Sequence, residues 1–154
     1  VIIKTNWLFP ILIIIIIYLG TRIIRKSIYD NLELTKRVSF VKTKGGQFAL
    51  KITVKARAKK RINNIRIIDR IPHLVKLYHK FGIIHPDKID VDGRRLEWNL
   101  HSLNKEETRL FTYIVYSDKV GLVGKFELPE TKAIYEDDGK VKEVYSNKSF
   151  YLRE

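Results

Sequence analysis

The feature that most constrains this chain is a run of uncharged residues near its start. No acidic or basic residue occurs from Thr5 to Thr21, and the central part, Trp7 to Gly20, reads WLFPILIIIIIYLG. A helix that crosses a hydrocarbon core needs ~17 to 25 mostly apolar residues. Isoleucines form helices poorly in water, but in lipid every backbone polar group must be paired within the segment. The run therefore predicts a transmembrane α-helix over residues 7–24.

The residues that flank this run support the same prediction. Trp7 and Tyr18 lie near its two ends, where amphipathic rings favour the headgroup level of a bilayer. Three cations then end the run: Arg22, Arg25 and Lys26. Their long stems can extend to the interface, so we expect these cations to contact anionic lipid headgroups. Residues 25–31 are expected to form a basic juxtamembrane linker.

Other interpretations of the run remain open. A cleaved signal peptide needs a basic region and a small-residue cleavage site. Here Lys4 would be its only basic residue, and Leu19 to Thr21 would be a poor cleavage site. A buried core helix would need a domain large enough to cover it on all sides. A helix that assembles with copies of itself, as in pilins, is a third interpretation. The chain opens on Val1 and not on methionine, so residues 1–6 are interpreted as the remnant of an upstream region if the chain is a fragment.

The charges around the run bear on which side of the membrane the rest of the chain occupies. Only Lys4 precedes the run, whereas five basic residues follow it closely: Arg22, Arg25, Lys26, Lys36 and Arg37. Because cytoplasmic flanks carry an excess of Lys and Arg, this asymmetry favours a cytoplasmic location for the carboxyl-terminal part.

The remainder of the chain alternates apolar and polar residues with a period of two, which is typical of strands with one buried face. The alternation is longest at residues 47–58 and clear again at 95–100, and residues 109–116 are predicted as a strand because they are β-branched and aromatic. Further strands are predicted at 34–41, 62–69, 120–126, 132–135 and 149–152. Turns are expected at Gly45-Gly46, Asp92-Gly93 and Asp138-Gly139, which supply the positive-φ residues that tight turns require.

Short strands with frequent turn signals predict an all-β fold, a β-sandwich of about seven strands over residues 32–152. Trp98 lies on an inward face of its strand and is interpreted as a core residue. Asp69 can accept backbone N–H bonds where the chain leaves a strand, and Pro72 fixes φ just after it. Both residues are interpreted as shaping a structural corner.

Several segments follow the order seen in one protein family. They are Leu34 to Val38, Gly46 to Phe48, Ile52 to Val54, Asn64 to Pro72, Trp98 to Leu100, Leu103 with Glu106 and Glu107, and Ser146-Asn147. Over about residues 32–152 the chain resembles the domain of unknown function number eleven, an immunoglobulin-like conserved repeat of archaeal and bacterial surface proteins. The sharpest element is the corner Asp69 to Pro72. The chain departs from the family at Lys59 to Arg61, which replace an Asn-Thr-Gly turn, and at His73-Leu74.

The resemblance implies an immunoglobulin-like sandwich that serves as a structural or adhesive module at the cell surface, without catalysis. This location conflicts with the cytoplasmic side that the flanking charges favour. At this point both locations stay open.

Residues that could carry chemistry do not form a convincing site. The chain has no cysteine, which excludes disulfides, thiolate metal sites and cysteine nucleophiles. His73, His79 and His85 are spaced six apart and do not gather on one face of a helix. Asp87, Asp90 and Asp92 lack the bidentate glutamate of a calcium loop, so we expect a solvated hairpin there. The sequence predicts no catalytic, metal or cofactor site.

The distribution of charge is more informative. The chain carries 30 Lys and Arg against 17 Asp and Glu, a net charge of +13. Nearly all of the excess falls in residues 36–80, which hold fourteen basic residues and one acid, Asp69. Seven of these basic residues are predicted to form one surface: Lys51, Lys55, Arg57, Lys59, Lys60, Arg61 and Arg66. A merely solvated face is the alternative.

The expected partners of this surface are a lipid bilayer with anionic headgroups, or an anionic surface polymer. Nucleic acid is disfavoured, because the basic strand has no interleaved aromatic residues for base stacking. The sequence therefore predicts a membrane-anchored, non-catalytic structural or interaction module. The alternative is an accessory subunit or adhesion domain that docks a protein partner through the sandwich.

Overall fold

The computed structural model describes residues 7–42, 48–117 and 124–153. The chain divides into two compact units, Val1–Asp30 and Asn31–Glu154. Four of the predicted features lie wholly or partly outside the described residues: the remnant at 1–6, the turn at Gly45-Gly46, the first residue of the strand at 47–58 and the first part of the strand at 120–126.

The first unit contains one α-helix, α1 (Leu8–Tyr29), of 22 residues. The helix continues through most of the predicted basic linker at residues 25–31 and ends at Tyr29. Residues 25–29 contain neither proline nor glycine, and Arg and Lys are good helix formers, so nothing interrupts the backbone hydrogen bonds. Asp30 leaves the helix with φ −76° and ψ 115°. Within the described residues, no helix is both long enough and apolar enough to cross a membrane.

The second unit is built from strands. In chain order they are β1 (Leu32–Lys42), β2 (Phe48–Ala58), β3 (Ile62–Arg70), β4 (Lys76–Phe81), β5 (Lys88–Asp90), β6 (Arg95–Leu103), β7 (Thr108–Ser117), β8 (Gly124–Leu128), β9 (Lys132–Asp137), β10 (Lys140–Tyr145) and β11 (Ser149–Arg153).

These strands form two main sheets that pack face to face. The first sheet has the order β1-β2-β7-β4, and the second has the order β10-β9-β3-β6-β5. Strands β11 and β8 form a separate two-stranded sheet. All pairings are antiparallel, and β1 pairs with β2 from Leu32 opposite Ala58 to Lys42 opposite Phe48. The all-β sandwich predicted from the sequence is confirmed.

The number of strands differs from the expected seven, because the described residues contain eleven. The strands that the sequence did not reveal are β4, β5 and β10. Five of the six residues of β10 and four of the six in β4 are polar or exposed, and β5 has only three residues. Such short edge strands bury too little to impose a clear period of two.

The core lies between the two main sheets and has Trp98 near its centre. Trp98 of the second sheet is 0% exposed, and its ring centroid lies 5.3 Å from Phe111 and 6.2 Å from Tyr113 of the first sheet. Its Nε1 has no hydrogen-bond partner among the described residues. Trp98 therefore contributes by packing, in the position that its alternation predicts.

The two predicted turns that lie within the described residues differ in which residue has a positive φ. Asp138 and Gly139 have φ values of 50° and 73°, as the predicted tight turn between β9 and β10 requires. In the turn at Asp92-Gly93 the residue with positive φ is instead Arg94, at 51°. Asp90 Oδ1 accepts a 2.8 Å bond from the Gly93 N–H, which holds that turn without a left-handed glycine.

Candidate functional site

A charged cluster lies inside the sandwich, at a place that the sequence reasoning missed. Lys36 of β1, one of the basic residues that follow the apolar run, is only 1% exposed. Its Nζ donates to Asp69 Oδ1 at 2.6 Å and to the carbonyl oxygen of Pro129 at 2.9 Å. Lys36 is thus a buried ion-pair partner, because its place in the alternation of β1 turns its side chain inward.

Asp69 is the centre of this cluster. Besides the Lys36 ammonium, it accepts a 2.8 Å bond from Tyr113 Oη and a 3.0 Å bond from the backbone N–H of Arg70. The backbone bond agrees with the predicted corner, but the ion pair adds a role that was not predicted. Burial, and then the neighbouring Asp69 carboxylate, raise the pKa of Tyr113 well above its usual value. Tyr113 therefore stays protonated and able to donate.

The geometry of this cluster indicates a structural role. The side chains of Lys36 and Asp69 are both 0% exposed, so a substrate cannot reach them. A buried charge pair is tolerated when its remaining polar atoms are also bonded, and here both carboxylate oxygens have donors. The cluster ties β1 and β3 to β7 through the core.

Side chains from the end of the chain occupy the backbone edge of β1. Asn147 Oδ1 accepts a 2.8 Å bond from the Lys36 N–H, and its Nδ2 donates to the Lys36 carbonyl at 3.0 Å. Ser149 Oγ donates to the same carbonyl at 2.7 Å. An amide side chain here replaces the two bonds that a neighbouring strand would supply.

The corner at Pro72 is held by an arginine that the sequence reasoning did not single out. Arg94 donates through Nε to the Ile71 carbonyl at 3.1 Å and through Nη2 to the Pro72 carbonyl at 2.6 Å. It also donates to the Val75 carbonyl. Arg94 lies 22 residues from Pro72 in sequence, so no local spacing could reveal it.

The predicted single basic surface is wrong, because the structure divides it between two sheets. Lys51, Lys55 and Arg57 lie on the outer face of the first sheet, whereas Arg66 lies on the outer face of the second sheet. The outer faces of a sandwich point in opposite directions. Three further cations are exposed between β2 and β3: Lys59, Lys60 and Arg61. Arg22 is exposed on α1, and Arg25 and Lys26 are helical.

Some of these cations are also paired with acids. Arg57 forms an exposed ion pair with Glu106. Lys60 Nζ lies 3.2 Å from Asp137 Oδ1 and 2.5 Å from Asp138 Oδ2. These pairs reduce the positive charge that the turn between β2 and β3 presents.

Asp137 is the most strongly perturbed carboxyl group for which a value is resolved. Its pKa is lowered to about 2, chiefly by a hydrogen bond from Lys142 and also by bonds from Asn31 and Lys60. Asn31 Nδ2 donates to Asp137 Oδ2 at 2.6 Å. Asp137 therefore links the first residue of the second unit to β9 and β10.

A groove lies between the edge strands β4 and β5, which each end a sheet. It encloses about 290 Å³, and its lining includes Leu77, Ile89 and Arg94. Arg94 already donates to three backbone carbonyls through Nε and Nη2. In the described part of the chain, no three His, Cys, Asp or Glu side chains lie close enough together to hold a metal ion.

Comparison with known proteins supports the fold. No protein-family model matches the sequence, and no curated protein sequence matches it. The chain is similar to the full-length major pilin SpaD from Corynebacterium diphtheriae, with a TM-score of 0.56 and 17% identity over 77% of this chain. The match spans 35% of the pilin, so this chain corresponds to about a third of its length.

A second similarity is weaker. The GH20 exo-β-N-acetylglucosaminidase from Vibrio harveyi, in complex with N-acetylglucosamine, gives a TM-score of 0.42 and 9% identity. It covers 77% of this chain and 18% of the enzyme. A TM-score this low has no bearing on fold or activity.

Proposed function

We propose that this chain is a non-catalytic structural module of a surface protein, held at the membrane by α1. One observation carries the proposal: the large apolar side chains from Trp7 to Leu19 are all between 41% and 73% exposed. A helix on the surface of a water-soluble domain keeps a polar face, and the first three turns of α1 contain no polar residue. Lipid is the environment that covers such a helix on every side.

The uncharged part of α1 is shorter than a full span. The 22 residues of α1 extend for about 33 Å, whereas its uncharged residues, Leu8 to Thr21, extend for about 21 Å. Arg22 follows directly, and its long stem allows the guanidinium to extend toward the headgroups. We propose that Arg22, Arg25 and Lys26 contact anionic headgroups there.

Two further observations support a structural module at the cell surface. The sandwich fold is similar to that of a pilin. We propose in addition that residues 32–152 form an immunoglobulin-like repeat of the kind that they resemble in sequence. The buried Lys36 and Asp69 cluster is closed to substrates. We therefore propose that the sandwich lies on the cell-surface side of the membrane, against the cytoplasmic side that the flanking charges favour.

The anchor is tested by washing membranes with alkaline carbonate. The full chain should stay in the membrane fraction and be released only by detergent. The variant I14K/I16K should leave this fraction, because each charge at the centre of a span costs about 2.5 to 3.5 kcal/mol of insertion free energy. The control I14L/I16L should behave as the unchanged chain. A full chain that is released by carbonate and is monodisperse without detergent would refute the anchor.

The side of the membrane is tested by adding protease to intact cells that express the full chain with a carboxyl-terminal tag. We expect the tag to be lost from intact cells. Loss of the tag only after the cells are broken would place the sandwich in the cytoplasm and overturn the surface assignment.

A further inference from the structure

The outer face of the first sheet carries exposed cations that no acid balances. On both sheets some outward cations meet acids: Arg57 of the first sheet pairs with Glu106, and on the second sheet Arg95 lies 2.8 Å from Glu97 and Lys132 lies 2.9 Å from Glu143. On the first sheet, Lys51, Lys55 and Arg37 are exposed and have no acidic partner among the described residues. The first sheet thus carries uncompensated positive charge.

These cations follow one line along the strands. In the register of β1 and β2, Lys51 lies opposite Ser39, Arg37 opposite Thr53 and Lys55 opposite Thr35. Outward positions recur every second residue, about 6.7 Å along a strand. The pair therefore presents one cation at each of three successive outward levels. We name Arg37, Lys51 and Lys55 the cationic row.

An apolar strip runs beside the cationic row on the neighbouring strands. Leu110 lies directly opposite Lys55, and Ile114 lies opposite Lys51, both on β7. Tyr78 of β4 pairs with Ile114. Leu110 and Tyr78 are each 52% exposed. The face therefore combines a line of charge with a line of apolar surface.

We propose that this face binds a linear polyanion, with the acidic groups of the polymer along the cationic row and its less polar backbone over the apolar strip. Charge complementarity and the single-file arrangement favour this occupant. A bilayer presents charge over an area and does not require cations in line. The proposal does not depend on the membrane anchor, because all of its residues belong to the second unit.

The proposal is tested with inorganic polyphosphate and the full chain in neutral-detergent micelles, by titration calorimetry at several salt concentrations. Three phosphate contacts predict a slope of roughly −2 for log K against log salt, or about a twenty-fold loss of affinity between 50 and 200 mM. The variant R37Q/K51Q/K55Q should lose at least about ten-fold in affinity and most of this slope.

A matched variant distinguishes binding by this face from binding that depends on net charge alone. R66Q/R70Q/K140Q also removes three exposed cations, but from the second sheet, and should bind as the unchanged chain does. Equal losses in both triple variants would overturn the proposal, since binding would then follow net charge alone. L110S should weaken binding without changing the salt slope.

Two further ligands identify the occupant. Inorganic monophosphate should bind at least about ten-fold more weakly than polyphosphate, because it can occupy only one level of the row. Vesicles of anionic lipid should not distinguish the two triple variants. If they did, and polyphosphate did not, the face would be a lipid-binding surface and the proposal would be wrong.

Discussion

Lys36 shows how one residue can differ in role from its neighbours in sequence. It lies in a segment of high positive charge, yet its ammonium is buried against Asp69 while Arg37 beside it is exposed. The difference follows from the alternation of a strand, in which successive side chains point to opposite faces. Buried charges without a partner are costly, so the cluster should respond sharply to the loss of one member.

We expect Lys36→Met to lower the free energy of unfolding by about 3 to 5 kcal/mol, because Asp69 would be left as a buried and unpaired charge. The double variant K36M/D69N should be more stable than K36M. Denaturant unfolding of the full chain in neutral detergent measures both. The exposed control K55M should change the stability by less than about 0.5 kcal/mol. A K36M loss as small as that of K55M would contradict the importance of the ion pair.

Asp137 provides a second prediction at this scale. Its folded pKa of about 2 lies below the ordinary value of 3.8, so folding favours the ionised form. The resulting stability is present above about pH 4 and is lost as the pH falls toward 2. The melting temperature of D137N should therefore fall less steeply over this range than that of the unchanged chain. The surface variant D92N should retain the full dependence, and a D137N curve parallel to it would refute the assignment.

At the scale of elements, the two edges of the sandwich differ in whether side chains cover the edge strands. The β1 side is closed by the side chains of Asn147 and Ser149, which bond the backbone at Lys36. On the other side, β4 and β5 end their sheets with a groove between them. Side-chain closure of an edge prevents pairing with another chain, which is a hazard of exposed strands.

We expect Asn147→Ala to remove two hydrogen bonds to β1 and to lower the free energy of unfolding by about 1 to 2 kcal/mol. Hydrogen exchange should report this locally, as faster exchange of the Lys36 amide. Asn63→Ala, a change on the exposed part of β3, should leave that amide protected. Unchanged exchange in N147A would show that the side chain does not close this edge.

The sequence was a good guide to the elements that alternate strongly. Residues 47–58 predicted β2 to within one residue, and the inward position of Trp98 placed it in the core. The alternation of β1 also contained a signal for Lys36, since Leu32, Leu34 and Lys36 occupy successive inward positions of that strand. The partners of such residues were not predictable, because Asp69 is 33 residues from Lys36.

The sequence also could not predict to which sheet each strand belongs. Arg66 follows Lys55 closely in the chain, but β2 and β3 belong to different sheets, so the two cations lie on opposite outer faces. Periodicity reports which residues share a face of one strand, and it does not report which strands are neighbours. The cationic row crosses from β1 to β2, and only the observed register reveals it.

At the scale of the whole molecule, the apolar helix and the sandwich belong to separate compact units. The sandwich has its own core, formed by residues of the second unit. Domains with separate cores unfold independently unless a large interface couples them.

We therefore expect I14K/I16K to leave the free energy of unfolding of the sandwich within about 0.5 kcal/mol of that of the unchanged chain, measured by denaturant unfolding in neutral detergent. The core variant I67A should lower it by about 2 to 5 kcal/mol in the same assay. A large loss in I14K/I16K would indicate that the helix contributes to the core of the sandwich.

The bonds from Asn147 to Lys36 join residues 111 positions apart. During synthesis the ribosome releases β1 long before it has made Asn147, at about 5 to 20 residues per second. For several seconds the edge of β1 must therefore remain open on a nascent chain in which the apolar helix α1 has already been made. The closure of this edge by Asn147 comes late in the order of assembly, because β1 to β10 are all synthesised before that residue.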